Sequence, residues 1–293
     1  MPIKRRGKEP SHNNLSVGIL FCLFLLVIFV GSIVLKVLDV VRKSTFDGKD
    51  RFTLAVSGLS VGQEKAVFLV SFSPEKNNVS ILTIPSSLER NGVSLSLSAE
   101  NVSRELAIPV DATVVAKKDI TAEYFKSSEE ERSLAPIIQS IVVNNGDFST
   151  KNLTVLDLVR ILFFAKSISP SAVQFSTLTS SDAVNIDQLS LRLFANATIA
   201  SERLSIEIIN GTGVGGLGNR LARYITNTSG NVVAVNTSKE IMDTSEILYT
   251  GESSYTVGKL SKLLKFPAKK IQKAEISDII IRIGKDNIQK EVF

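Results

Sequence analysis

The 293-residue chain has one cysteine and one histidine. A single Cys, at position 22, excludes a disulfide framework and a thiolate metal cage. A single His, at position 12, removes the key residue of a Ser–His–Asp triad, a His-ligated zinc or a His general base in any downstream domain. The hydrophobic share of 44% and charged share of 22% are close to globular averages, which excludes wholesale disorder, and the length leaves room for two domains. No heptads, internal repeats or low-complexity tracts occur.

Basic excess is also missing from most of the chain. The net charge of +5 sits in residues 1–43, which hold seven of the 34 basic and two of the 29 acidic residues. The remaining 27 basic and 27 acidic residues balance. The pI therefore gives no basic patch on a folded domain, and no nucleic-acid partner is expected.

One long apolar run is present. Leu15–Leu35 carries no formal charge over about 21 residues, enough at ~1.5 Å per residue to cross a hydrocarbon core of roughly 30 Å. It is too long for a signal-peptide core, and Gly31-Ser32-Ile33 is a poor cleavage site. Cys22 does not read as a lipidation site, because Phe21 precedes it and much of the run follows it. Lys4, Arg5, Arg6 and Lys8 lie just ahead of the run. The positive-inside rule then predicts a cytoplasmic tail at 1–14, a signal-anchor helix at 15–38 and everything later outside the plasma membrane.

Beyond Arg51 the pattern turns to α/β. Phe52, Leu54 and Val56 alternate; Ala66–Phe72 and Val79–Ile84 are dense β runs closed by Pro74 and Pro85. Helical spacing is expected around Glu100–Leu106, at Leu134–Val142 and at Val155–Ala165, the last opened by a Thr154/Asp157 cap, with a closing strand at Ala172–Phe175. Residues 51–180 read as one domain and 181–203 as a linker or a short connecting element. From Leu204 to Asp286 the order β-α-β-β-α-β follows the split βαβ plan.

Asn210-Gly211-Thr212-Gly213-Val214-Gly215-Gly216 contains a formal G-x-G-x-x-G between a strand and a helix. The acid that should close the second strand of a dinucleotide site is missing, since Asn236 and Thr237 follow Val235. No nicotinamide cofactor, metal or other cofactor is expected. Two readings stay open: a tight turn needing positive φ at some glycines, and capture of an anionic ligand by the helix N-terminus, with Asn210, Gly211, Thr212, Gly213 and Gly216 as the binding residues.

Four blocks of the 204–286 segment resemble the C-terminal domain of LytR–CpsA–Psr proteins: IEIINGTGVGGLGNRLARYI, TSEILYT, SSYTVGKLSKLL and DIIIRIGKD. Upstream, Arg51-FTLAVSG, AVFLVSFSPEKNNVSILTIPSSL, SRELAIPVDATVVA and STKNLTVLDLVRILFFAK are similar to the catalytic domain of that family. The resemblance implies an α/β fold and a cell-envelope setting, with cell-wall glycan or other envelope proteins as partners. Family enzymes move a polymer from a polyprenyl pyrophosphate carrier to the wall, using arginines and an Asp. Here the family's Arg-Asp is replaced by Ser86-Ser87, Lys65-Ala66 stands where Asp-Thr is expected, and Arg90, Arg104, Arg132 and Arg160 are scattered. Phosphoryl chemistry depends on oriented positive charge. The expectation is a degenerate, non-catalytic domain with no catalytic residues; the alternative is a working glycopolymer transferase with relocated arginines.

Overall fold

The computed structural model describes residues 13–61, 64–85, 88–90, 93–94, 97–121, 138, 141, 145–273 and 276–290. The chain divides into two compact units, Met1–Ser44 and Thr45–Phe293. In the first, helix α1 (Asn13–Lys43) runs past both ends of the expected 15–38 span. From Gly18 its side chains are exposed along the apolar stretch, Cys22 among them. Among the described residues it is the one helix long and apolar enough to cross a membrane.

Among its described residues the second unit holds two large sheets and one two-stranded ribbon. The first is built from β1 (Phe52–Val61), β2 (Glu64–Ser73), β3 (Asn78–Pro85), β6 (Ala112–Thr121), β7 (Phe148–Lys151) and β8 (Val173–Thr177), in the order β7-β6-β1-β2-β3-β8. A two-residue hairpin pair, β4 (Glu89–Arg90) and β5 (Val93–Ser94), stands apart from it. β1-β2-β3 form an antiparallel meander, with β6 parallel to β1 and β8 parallel to β3. Apolar residues pack on both faces, so the strands read as dense runs rather than clean alternation. Phe52, Leu54, Phe68, Val70 and Ile81 face a core closed by α3 (Val155–Ser167) through Leu158 and Ile161. Ala55, Val67, Leu69 and Leu82 face α2 (Val102–Leu106) and α4 (Ala183–Phe194). The layers are therefore α/β/α. Ile138 and Ile141 are helical and buried, whereas the rest of the helix expected at 134–142 lies outside the described residues.

The Thr154/Asp157 cap is present in full: Asp157 N donates to Thr154 Oγ1 at 3.2 Å and Thr154 N donates to Asp157 Oδ2 at 2.7 Å. The other carboxylate oxygen accepts from the amides of Thr45 and Phe46, at 3.0 and 2.9 Å. Phe46 is buried in the first core, so this domain begins ahead of Arg51.

Residues 181–203, expected as a linker, fold as α4 and α5 (Ala197–Glu202). Ile186, Leu193 and Phe194 repeat at helical spacing and fill the second core, which a solvated linker would not do. The second sheet follows: β9 (Ser205–Asn210), α6 (Leu217–Asn227), β10 (Asn231–Thr237), β11 (Glu246–Tyr249), α7 (Tyr255–Leu264), β12 (Ala268–Lys270), β13 (Ile279–Ile283) and a short α8 (Asp286–Lys290). Its order is β10-β9-β13-β11-β12. The split βαβ plan holds, with the three-residue β12 added as an edge strand parallel to β11. Ile206, Ile208, Ile281 and Ile283 meet Leu221, Ile225, Leu260 and Leu264 in one core.

Candidate functional site

The glycine loop leaves β9 at the end of the sheet. Gly211 N donates to Ile283 O at 2.9 Å, and Gly211 O accepts from Met242 N at 2.8 Å. Asn210 Oδ1 accepts from the backbone and hydroxyl of Thr212, at 3.1 and 2.7 Å, while its Nδ2 donates to Val214 O at 2.8 Å. Val214 N in turn donates to Thr212 Oγ1 at 3.0 Å. Asn210 and Thr212 are buried, and both side chains are engaged in holding the loop. Gly213 and Gly216 adopt φ of +77° and +86°. The exposed stretch is Gly213–Gly216, ending at an α6 N-cap without a side-chain hydrogen bond. Of the five residues expected to bind, then, Asn210, Gly211 and Thr212 are buried in the turn itself, whereas Gly213 and Gly216 face solvent. At the end of β10, Asn236 Nδ2 donates to Oε1 of Glu207, on the neighbouring β9, at 2.8 Å.

A larger concavity lies between the two sheets, a cleft of about 470 Å³. This is within the ordinary size range for a small-ligand pocket. The starts of β1 and β6 bring Arg51, Asp111 and Thr113; α6 brings Tyr224; α7 brings Tyr255, Lys259 and Lys262. Tyr255, Lys259 and Lys262 recur every three or four residues and share a face, while Val257, Leu260 and Leu264 are spent on the core. Lys259 Nζ donates to Asp111 Oδ1 and, at 3.1 Å, to Arg51 O. Asp111 Oδ2 accepts from Thr53 N at 2.8 Å. Arg51 is 6% exposed and donates to Ser71 Oγ and Ser73 Oγ, each at 2.9 Å, and to Leu193 O. Its Nε is buried without a partner. Burial lowers the Arg51 pKa against the pull of Glu75, Asp111 and Tyr255, and a guanidinium so lowered stays cationic.

Acidic groups rim the same cleft. Burial, followed by the charge and hydrogen bond of Asp47, raises the pKa of Asp50 to about 6. Burial also works to raise Asp47, but hydrogen bonds from the Asp50 and Lys49 amides outweigh it and leave that carboxyl lowered. Burial pushes the Tyr224 and Tyr255 hydroxyls up, so both remain protonated donors. Among the described residues no group of three or more His, Cys, Asp or Glu side chains is placed to hold a metal ion. The cleft is thus lined by Lys262, the Lys259–Asp111 pair, the neutral phenol of Tyr255 and one carboxyl whose pKa is raised to about 6. These suit recognition of a hydroxyl-rich or anionic ligand.

The two domains of this unit are joined around the cleft. Asn227 Nδ2 donates to Ala107 O at 2.9 Å and to Asp187 Oδ1 at 2.8 Å. Arg223 Nε donates to both oxygens of Asp187, at 2.7 and 3.0 Å. Glu202 accepts from the amides of Tyr255 and Thr256 at 3.0 and 2.9 Å.

The match that decides the domain covers residues 203–286, which fit the family model described as "LytR cell envelope-related transcriptional attenuator". This chain carries a LytR_C domain. No curated protein matches the chain. Among solved structures it is similar to Lin1025 from Listeria innocua, at 12% identity over 48% of this chain and 95% of that one, with a TM-score of 0.35. It is also similar to TagV from B. subtilis, at 12% identity over 50% and 97% of the two chains, TM-score 0.33. A structure of TagT bound to LI-WTA matches at 15% identity over 85% and 92%, TM-score 0.21.

The LytR_C domain contains the whole glycine loop and α7. Of the upstream positions compared with the family enzymes, Lys65 is exposed and Ala66 buried at the start of β2, while Ser86, Ser87 and Arg132 lie outside the described residues. Arg104 pairs with Glu105 at 3.2 Å, and Arg160 donates to Phe46 O at 2.9 Å. Sequence reasoning missed the cleft. Its one signal was the polar stripe Tyr255-Lys259-Lys262, whose partner Asp111 is 148 positions away.

Proposed function

We propose that this protein is a single-pass cell-envelope protein, held in the plasma membrane by α1 with its N-terminus in the cytoplasm. Its extracytoplasmic part binds cell-wall material or assists its assembly, without catalysis. The observation that carries this reading is a LytR_C domain downstream of a membrane-length apolar helix. The basic cluster at Lys4–Lys8 supports the orientation. Ser86-Ser87 in place of the family's Arg-Asp supports a non-catalytic, degenerate LytR–CpsA–Psr-like domain, since each oriented charge lost typically costs about 10²-fold or more in rate.

Two surfaces are open to a glycan or its anionic groups. One is the cleft with its lysines and tyrosines; the other is the solvent-facing stretch of the glycine loop, Gly213–Gly216. Retention of the purified extracytoplasmic part on isolated cell wall tests the binding. In parallel, it is incubated with a polyprenyl-pyrophosphate-linked glycan under Mg²⁺ and Mn²⁺, beside an active family enzyme. Retention without turnover is expected. Metal-dependent transfer or hydrolysis would replace this reading with that of an active transferase, and loss of retention would remove wall binding.

A further inference from the structure

Helix α3 is apolar on two sides. Leu158, Ile161 and Ala165 enter the core of the first sheet. On the far side Val155, Val159 and Phe163 are 64%, 37% and 71% exposed, at i, i+4 and i+8. Leu156 and Leu162, both half-buried, flank them. At 3.6 residues per turn these five side chains cover an arc of about 120°. The arc holds one charged residue, Lys166 near its C-terminal end, and no carboxylate. A contiguous exposed apolar stripe of this kind marks an interaction surface.

Chain connectivity keeps the N-terminal end of α3 close to the end of α1. Asp157, in the first turn of α3, binds the amides of Thr45 and Phe46, and Arg160 binds Phe46 O. Thr45 follows Lys43, the last residue of α1, by two positions, a reach of at most about 7 Å. If the apolar span ends near Leu38, the rest of α1 rises about 7.5 Å, comparable with a headgroup layer of roughly 5–8 Å. The start of α3 is thus tied to a point at the level of the lipid headgroups.

We propose that the Val155–Val159–Phe163 face of α3 docks on an anionic bilayer surface, with its apolar side chains in the interface and Lys166 at the headgroups. This rests on the reading that α1 spans the membrane. The docking is a second attachment of the extracytoplasmic part, made by a face that is exposed among the described residues.

The test uses the full chain in vesicles of phosphatidylethanolamine and phosphatidylglycerol. In a Cys22→Ser background, Phe163→Cys and, separately, Val155→Cys carry an environment-sensitive fluorophore. Both positions are exposed, so neither change touches the core. Flotation with the vesicles reports insertion of α1 independently of the label. The expected result is blue-shifted emission, quenching by nitroxide-bearing lipid and loss of quenching by aqueous iodide. Chain that floats while its labels remain open to iodide overturns the docking and leaves the anchor intact. Protection that disappears on diluting protein in lipid, without nitroxide quenching, assigns the face to a second copy and also overturns it. Failure to float sinks the anchor reading, and the docking with it.

Discussion

Gly213 holds a φ of +77°, and a Cβ there would make ordinary contacts with the Ile241 side chain, at 3.6 Å to Cδ1 and 3.9 Å to Cγ1. The cost of Gly213→Ala is then the left-handed backbone alone, about 1–2 kcal/mol, seen as a lower denaturation midpoint. If the loop is only a turn, retention on wall fragments is unchanged in the folded variant, and folded substitutions at Thr212 or Val214 behave alike. Retention lost at unchanged stability would make Asn210–Gly216 a ligand site. Asp50 gives the pH prediction. Its folded pKa of about 6 lies above the ordinary carboxylate value near 4. Between those values the folded state keeps a proton that the unfolded chain has released. The stabilisation from this group is complete below about pH 4 and is lost as pH rises through about 6. Asp50→Asn should flatten the stability profile of residues 45–293 in that window and be the more stable form above it. A profile unchanged by the substitution would show that Asp50 does not titrate there. Glu202, Glu246 and Asp278, whose pKa values are lowered, act in the opposite sense in more acid solution.

At the scale of the element, α7 is, with α6, a link between the domains of the second unit. Its N-terminus is capped twice, by Ser254 Oγ accepting from Val257 N at 3.2 Å and by the Glu202 carboxylate from α5. One turn further on, Lys259 reaches Asp111 at the start of β6, each side chain 13% exposed. Exposed ion pairs contribute less than about 1 kcal/mol, while breaking a fully buried one costs roughly 3–5. This pair falls between them. A double-mutant cycle of Lys259→Met and Asp111→Asn should therefore give a coupling of about 1–2 kcal/mol. A coupling near zero would mean that the Lys259–Asp111 pair does not help to join the domains, leaving packing and the Asn227, Arg223 and Glu202 contacts.

At the scale of the molecule, the prediction is topological. A reporter fused after Phe293 should be active only outside the cytoplasm, because the Lys/Arg excess ahead of α1 keeps the N-terminus in. Activity in the cytoplasm would overturn the envelope reading in both its catalytic and its non-catalytic forms. The same experiment bears on the LytR_C domain, since its glycine loop and α7 can meet cell wall only from outside.

Local signals were enough for the membrane-length helix, the Thr154/Asp157 cap, the β1-β2-β3 meander and the strand–glycine loop–helix of the LytR_C domain. Each depends on periodicity or on a capping residue within a few positions of its partner, and such information is contiguous in the chain. The exposed stripe on α3 shows where this stops. Val155, Val159 and Phe163 are as apolar as Leu158 and Ile161, so composition cannot say which face meets the core. The residues expected as a linker became helices because Ile186, Leu193 and Phe194 had a sheet to cover, and the strands β1, β2 and β3 whose residues they meet lie more than 100 positions upstream. The cleft, the buried Arg51 and the Lys259–Asp111 pair were decided by tertiary structure alone. Their partners are 20 to 208 residues apart, and no local pattern encodes contacts made only when strands pair and the two sheets pack together.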